Sequence, residues 1–148
     1  MRSRIQAVVL PSEAGEFADD LRRVFSELGR TVGEQLTGEC SPAIDVYETD
    51  ETIEITADVP GVDDDALRIV AKGQTILIVG LKRPRRARGD SSFHLVERGY
   101  GRFARAVRLT AACDTARARA RIVDGELRLS LPKIVERRNT VIRIPIQS

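Results

Sequence analysis

The chain has very few of the residues on which most catalytic and metal sites depend. Its 148 residues include two cysteines, a single histidine and no tryptophan. Cys40 and Cys113 lie far apart and outside any Cys-x-x-Cys spacing, so they form neither a zinc motif nor a disulfide framework. His94 has no partner at a spacing typical of a catalytic triad. These scarcities predict a protein that is not an enzyme and that uses no metal and no cofactor.

Strong net charge and long apolar runs are missing as well. The 24 basic and 22 acidic residues leave a formal charge of +2, which predicts no strong attraction to nucleic acid or to an anionic membrane. Residues 76–79 form an apolar run far too short to cross a bilayer, and residues 5–10 lack the length and the cleavage site of a signal peptide. We therefore expect a cytoplasmic protein with reduced cysteines, no integral membrane segment and no nucleic acid partner.

Near the start of the chain, the apolar residues follow a helical period. Spacings of 4, 3, 1 and 3 place one set on a single helical face: Phe17, Leu21, Val24, Phe25 and Leu28. With Ser12 as the N-cap and Gly29 as the C-terminal stop, the pattern predicts an amphipathic helix of about four turns. The polar, glycine-containing residues 31–41 then indicate a linker.

From Pro42 onwards the period of the apolar residues changes to two, which is typical of half-buried strands. Residues 75–80 are apolar on both faces and predict a strand covered on both sides. Asp124-Gly125 indicates a tight hairpin, and residues 93–96 are apolar enough for an additional strand. Seven or eight short strands with no helical pattern between them predict an all-β fold, an antiparallel β-sandwich.

Two charged segments interrupt the strands. Residues 63–65 are three aspartates that predict a turn or a single helical turn, because the alternating ligands of a calcium loop are missing. Residues 82–89 include five basic side chains. We interpret them as a solvated loop, since a nucleic-acid contact would call for interleaved aromatic residues.

The end of the chain combines a polar tether, residues 135–140, with three isoleucines at period two. Ile142, Ile144 and Ile146 would each gain about 1.5–3 kcal/mol on burial, and Pro145 keeps the segment extended. Two interpretations remain open. The segment is either the last strand of the chain's own sandwich or a docking strand that inserts into a groove on a neighbouring molecule.

Six short motifs follow one another along the chain: Ile44-Asp45-Val46-Tyr47-Glu48; Val59-Pro60-Gly61-Val62; Ile76-Leu77-Ile78-Val79-Gly80; Glu97-Arg98-Gly99-Tyr100-Gly101-Arg102-Phe103-Ala104-Arg105; Asp124-Gly125-Glu126-Leu127 with Leu131-Pro132-Lys133; and the Ile-x-Ile tail. Together they resemble the small heat-shock proteins, the α-crystallin family, and in particular the bacterial type. Two positions depart from the family pattern. Glu126 stands where an apolar residue is usual, and Leu81-Lys82-Arg83 follows Gly80 where Gly-Glu-Arg is usual.

The resemblance implies an immunoglobulin-like sandwich, the α-crystallin domain, over residues 42–134, with a helical N-terminal arm over residues 1–41 and an extended tail over residues 135–148. It implies that the tail isoleucines dock through either Ile142/Ile144 or Ile144/Ile146, of which we favour the second as the more terminal. The expected docking groove contains Leu67, Ile69, Ala71, Ala118, Ala120 and Ile122. The expected dimer interface contains Ile44, Val46, Tyr47, Phe93, Leu95 and Arg105, with Arg105 paired to an acidic group.

The function implied by the resemblance is ATP-independent holding of unfolding client proteins by a homo-oligomer built from dimers. The helical face named above would be the client-binding arm, lying outside the sandwich and buried between subunits until heat releases it. The alternative is a monomeric co-chaperone with the same sandwich that binds a larger chaperone. The apolar tail and the helix favour the first interpretation, because a monomeric adaptor needs neither.

Overall fold

The computed structural model describes residues 17–32, 40–84, 87–134, 141 and 143–147, with side chains described up to residue 29 in the helix. This part of the chain contains a helix, α1 (Ala18–Val32), and seven strands: β1 (Ile44–Glu48), β2 (Thr52–Asp58), β3 (Leu67–Lys72), β4 (Thr75–Lys82), β5 (Gly101–Arg108), β6 (Arg119–Val123) and β7 (Glu126–Pro132). Single 3₁₀ turns, Asp64–Ala66 and Thr115–Arg117, precede β3 and β6. The first of these turns confirms the single helical turn predicted for the aspartate run.

The strands form two antiparallel sheets, one in the order β1-β2-β7-β6 and the other in the order β3-β4-β5. Alternate side chains of each sheet point inwards, as the period of two predicts. The core between the sheets is almost wholly apolar and includes Ile53, Ile55, Ile76, Ile78, Phe103, Val107, Leu127, Leu129 and Leu131. The predicted antiparallel sandwich is therefore confirmed.

Two glycines are required by their positions. Gly125 follows Asp124 in the hairpin between β6 and β7, and both have left-handed φ angles, 78° and 52°, as a type I′ turn demands. Gly80 lies on the inner face of β4, where a Cβ would be only 2.2 Å from Cζ of Phe103. The aromatic ring thus occupies the space of a side chain at position 80.

Helix α1 covers the outer face of the β3-β4-β5 sheet. Phe17, Val24 and Leu28 are buried, and they belong to one apolar cluster with the strands. Alternation along β4 directs Leu77, Val79 and Leu81 towards the helix and Ile76 and Ile78 towards the other sheet. The prediction of a strand covered on both sides is therefore confirmed, and one of its covers is the helix.

Two predictions about secondary structure are wrong. The helix continues past Gly29 to Val32, because a glycine in a helix costs only about 1 kcal/mol and the buried face extends to Leu28. Residues 93–96 form no strand, and they pair with none of the described strands of the same chain. Of the two interpretations left open for the tail, the structure does not show the one in which it is a strand of the chain's own sandwich, because residues 143–147 pair with no described strand. Ser12 lies outside the described residues.

Candidate functional site

An open groove lies between the two sheets, where the edge strands β3 and β6 face each other. It consists of two adjacent clefts of about 380 Å³ and 290 Å³ that share Ile69 and Ala120. The larger cleft is lined by Ile69, Ala71, Ile76, Thr115, Ala116, Ala118, Ala120, Leu129 and Leu131. The smaller cleft is lined by Asp64, Leu67, Arg68, Ile69, Ala120, Arg121, Ile122 and Leu127. We call the two clefts together the groove.

The local sequence explains why the groove is open and apolar. Period two places Leu67, Ile69 and Ala71 on the inner face of β3, and the alanines of β6 face them with side chains too short to fill the space. All six residues predicted for the docking groove line one or both clefts. The structure thus brings them together, while their role in docking stays a prediction.

Sequence reasoning missed the floor of the groove and its charges. Leu127, Leu129 and Leu131 of β7 close the bottom of the groove. Their period of two predicts a strand but not its position beneath β3 and β6. Arg68 and Arg121 lie at the rim of the smaller cleft together with Asp64. The alternation of arginine with alanine along residues 116–121 contained this signal.

The described tail residues are exposed to solvent. Ile144 is 84% exposed and Ile146 is 97% exposed, and Ile142 lies outside the described residues. The groove of the same chain is meanwhile open. The same chain therefore has an open apolar groove and an exposed apolar tail, and the described tail residues do not line the groove.

The residues predicted for the dimer interface lie at the opposite edge of the sandwich and in the segment that joins β4 to β5. Ile44 and Val46 are half-buried on the edge strand β1, and Tyr47 is 55% exposed. Phe93 and Leu95 are 65% and 72% exposed. An edge strand and an exposed apolar segment are both surfaces that a second chain can cover.

Arg105, also predicted for the dimer interface, ties β5 to the chain that enters β1. Its Nη1 donates to the carbonyl oxygen of Pro42 at 3.0 Å and to Oγ of Ser41 at 3.3 Å. These bonds join the two sheets at the edge opposite the groove. The predicted pairing of Arg105 with an acidic group of a partner stays a prediction.

Comparison with known proteins decides the family. The model of the Hsp20/alpha crystallin family matches residues 45–147, which include the sandwich strands except for the first residue of β1. The chain belongs to the Hsp20/alpha crystallin family.

Curated relatives support this assignment to the Hsp20 family. Spore protein SP21 of Stigmatella aurantiaca is 39% identical over 93 residues, which are 62% of this chain and 54% of that protein. Heat shock protein 16 of Schizosaccharomyces pombe is 28% identical over 131 residues, which are 87% of this chain and 91% of that protein. The chain thus spans about half the length of the first relative and nearly all of the second.

Solved structures resemble this Hsp20 sandwich in the same way. Heat shock protein 16.0 from Schizosaccharomyces pombe superposes with a TM-score of 0.63 at 30% identity, covering 74% of this chain and 100% of that one. A small heat-shock protein from Xylella fastidiosa superposes with a TM-score of 0.62 at 25% identity, covering 72% of this chain and 96% of that one. The resemblance stated from the motifs is confirmed.

The helical arm of this Hsp20 protein packs against the outer face of the sandwich within one chain, and its expected burial between subunits stays a prediction. Besides the burial of Phe17, Val24 and Leu28, Lys72 of β3 donates to Asp20 at 2.7 Å, and its Nζ lies 5.7 Å from the ring centroid of Phe17. The hydrogen bond from Lys72 lowers the pKa of Asp20. The apolar outer face of β4 provides within one chain the cover that was expected from another subunit.

Leu21 and Phe25 lie at the margins of the buried helical face and are only partly buried. Arg102 of β5 lies with its guanidinium 5.5 Å from the ring centroid of Phe25. The sheet therefore holds the helix from both sides, with Lys72 on β3 and Arg102 on β5. Client binding by the helical face stays a prediction, and it now requires that the helix leave the sheet.

The remaining groups with reactive side chains are the two cysteines. Cys40 and Cys113 are free, and burial raises the pKa of both thiols. Among the described residues, no group of three or more histidine, cysteine or acidic side chains could hold a metal ion. Helix α1 is too short and too polar to span a bilayer.

Proposed function

We propose that the protein is an ATP-independent holdase that binds unfolding proteins and prevents their aggregation, and that it works as a dynamic homo-oligomer built from dimers. It would act by reversible burial of apolar surface, without catalysis, nucleotide or other cofactor. The cytoplasm is the proposed location, in keeping with two free cysteines.

The observation that carries this proposal is the pairing of an open apolar groove with an exposed isoleucine tail in the same chain. Residues two apart in an extended strand point the same way and lie about 6.6–6.8 Å apart. Ile144 and Ile146 can therefore enter the two adjacent clefts, which meet at Ile69 and Ala120. Both partners expose apolar surface when separate, and this supports docking between chains.

A second contact would build the dimer. The edge of β1 is open to a further strand, and the apolar residues 93–96 lie in a long exposed segment. We propose that this segment pairs with β1 of a partner, which would give residues 93–96 the strand geometry that they lack in one chain. Exchange of identical elements between protomers is a low-cost route to dimers.

Client binding would use the helical face and the outer surface of β4 that it covers. Both are apolar, and each hides the other in the folded chain. Heat weakens the attachment of α1, so a rise in temperature would expose both surfaces to unfolding clients. On this view the sandwich is the stable platform, and helix α1 and the tail isoleucines are the parts that change partners.

The experiment that tests the proposal is a native mass measurement by light scattering on three chains. Wild type should form a large oligomer, whereas Ile144→Ser/Ile146→Ser, or truncation after Asn139, should yield dimers or other small species. Val141→Ser is the matched control, because Val141 is equally exposed but lies outside the favoured pair. An unchanged mass for the double variant would refute tail docking.

The same samples distinguish the proposed holdase from the alternative, a monomeric co-chaperone. Suppression of aggregation of a heated client, unaffected by ATP, would support the holdase. A wild-type mass near that of the 16.4 kDa monomer would refute the oligomer and favour the monomeric co-chaperone.

A further inference from the structure

The outer face of the β1-β2-β7-β6 sheet contains an open cleft of about 920 Å³, on the side of the sandwich opposite helix α1. Because Ile122 and Leu127 line the groove on the inner side, strand alternation places Arg121 and Arg128 on this outer face. Three arginines and one glutamate give the lining of the outer cleft a formal excess of two positive charges. The lining residues are Tyr47, Glu54, Thr56, Arg119, Ala120, Arg121, Arg128 and Ser130.

Arg119, Arg121 and Arg128, which we call the arginine cluster, lie close together. Arg121 is directly opposite Arg128 in the register of β6 and β7, where paired Cα atoms are about 4.5–5.5 Å apart. Arg119 stands two residues before Arg121 on the same face of β6, at a spacing of about 6.6–6.8 Å. Like charges in such cross-strand positions are destabilising, so the cluster lowers the stability of the sheet unless an anion lies beside it.

The acidic residues nearby neutralise only part of the arginine cluster. Glu126 pairs with Arg128 at 3.0 Å. Glu54 already accepts hydrogen bonds from two hydroxyl groups, at 2.7 and 2.8 Å. Arg119 and Arg121 are exposed, and neither makes a hydrogen bond or an ion pair with any described residue. Their guanidinium groups therefore keep both charge and hydrogen-bond donors for a ligand.

The chemistry of the arginine cluster favours a ligand with linked phosphate groups. A guanidinium group donates two parallel hydrogen bonds to a phosphate, and a phosphate group carries more charge than a carboxylate. One phosphate can lie between Arg121 and Arg128 while a second, joined to it, contacts Arg119. A nucleic acid fits less well, because Tyr47 is the single aromatic residue of the lining and lies on the far strand, β1.

We propose that the arginine cluster is a binding site for a small anion that carries two or more linked phosphate groups. The cluster lies on β6 and β7, away from the β1 edge and on the face opposite the groove, so the proposed dimer and a docked tail would both leave it accessible. The bound anion would remove the repulsion between Arg121 and Arg128 and stabilise the sandwich. Binding alone hydrolyses no nucleotide, so the site is compatible with ATP-independent holding of clients.

The test is a calorimetric titration of the full-length protein with tripolyphosphate at low salt, with sulfate as the control for a single small anion. An exposed ion pair contributes up to about fivefold in affinity, and tripolyphosphate can contact one or two more arginines than sulfate can. Tripolyphosphate should therefore bind about 5- to 25-fold more tightly than sulfate, and high salt should reduce this ratio. ATP, titrated in parallel, distinguishes two sources of linked phosphates. Affinity equal to that of tripolyphosphate would assign the site to any triphosphate group, weaker binding would assign it to inorganic polyphosphate, and both results support the proposal.

The variant Arg121→Gln should bind tripolyphosphate about fivefold more weakly, whereas Arg88→Gln, an exposed arginine of the segment between β4 and β5, should bind it like wild type. Because Arg121→Gln removes a like-charge pair, loss of binding in this variant is not explained by loss of folding. Tripolyphosphate should also raise the melting temperature of wild type more than that of Arg121→Gln. Equal affinities for tripolyphosphate and sulfate, or unchanged binding in Arg121→Gln, would overturn the proposal. So would tighter binding of a single-stranded oligonucleotide than of tripolyphosphate, since the face would then be a nucleic-acid surface.

Discussion

The attachment of α1 to the sheet can be weakened at a single residue, Leu28. Its side chain is completely buried between the helix and the outer face of the β3-β4-β5 sheet. Substitutions of buried leucine by alanine cost about 2–5 kcal/mol. We expect Leu28→Ala to cost about 2–3 kcal/mol, at the lower end, because a helix on the surface of a sheet can shift to fill part of the cavity.

This cost should appear as opening of the helix and not as unfolding of the sandwich. Strand β4 lies between the helical face and the inner core, and β2 and β7 belong to the other sheet, so β2 and β7 retain their packing when the helix leaves. A loss of 2–3 kcal/mol in local stability corresponds to amide exchange about 30- to 150-fold faster. Hydrogen exchange read by mass spectrometry should show this increase for residues 18–32 and almost none for β2 and β7.

The matched control is Arg22→Ala on the exposed face of the same helix. Arg22 pairs with Asp19 at 3.0 Å, an exposed contact within the helix that contributes only a few tenths of a kcal/mol. Leu28→Ala should also bind an apolar dye more strongly, because Leu77 and Val79 become accessible. Equal acceleration of exchange in β2 and β7 would refute a separable helix, and no acceleration anywhere would refute its attachment.

Three further predictions concern glycines, cysteines and one ion pair. Gly80→Ala should lower the free energy of unfolding by about 2–3 kcal/mol, because its Cβ collides with Phe103. Gly29→Ala in the helix has open space around it and should raise the free energy of unfolding by up to about 1 kcal/mol, and urea titration checks both variants. Both cysteine thiols should be alkylated more slowly at pH 8 than in the unfolded chain, since burial raises their pKa, and equal rates would contradict this. Lys133 donates to Glu48 at 2.7 Å and lowers the pKa of Glu48. Wild type should therefore be more stable than Glu48→Gln at neutral pH and should lose this advantage as the pH falls below about 4. An advantage that stays constant down to pH 2 would be inconsistent with this pair.

The sandwich could be predicted because the sequence patterns that specify its strands and hairpins involve residues that are close together in the chain. Period two marks the inner faces, and Asp124-Gly125 specifies a hairpin through backbone angles that few residues adopt. The six inward residues of β3 and β6 were identified for the same reason, once the family resemblance had paired the two strands. Each of these inferences needs only neighbours in sequence or one known topology.

The errors arise where the answer depends on a surface distant in sequence. The helical face was expected to be covered by another subunit, because no residue near Leu28 in the sequence indicates that the outer face of β4 would cover it within the same chain. Residues 93–96 have the composition of a strand, yet strand geometry requires a hydrogen-bonding edge that composition does not contain. The arginines near the groove were missed for a related reason: the alternation along residues 116–121 is visible in the sequence, but the proximity of Arg121 to Arg68, on a strand far away in the chain, is not.

The arginines on the outer face of β6 also affect the resistance of the protein itself to aggregation. A sandwich of two open sheets exposes four edge strands, and such edges template pairing with other chains, the first step towards fibrils. Arg119 and Arg121 place full charges beside one of these edges, where a growing aggregate would have to desolvate them. These charges thereby disfavour pairing of further chains with the β6 edge and oppose the growth of fibrils from it.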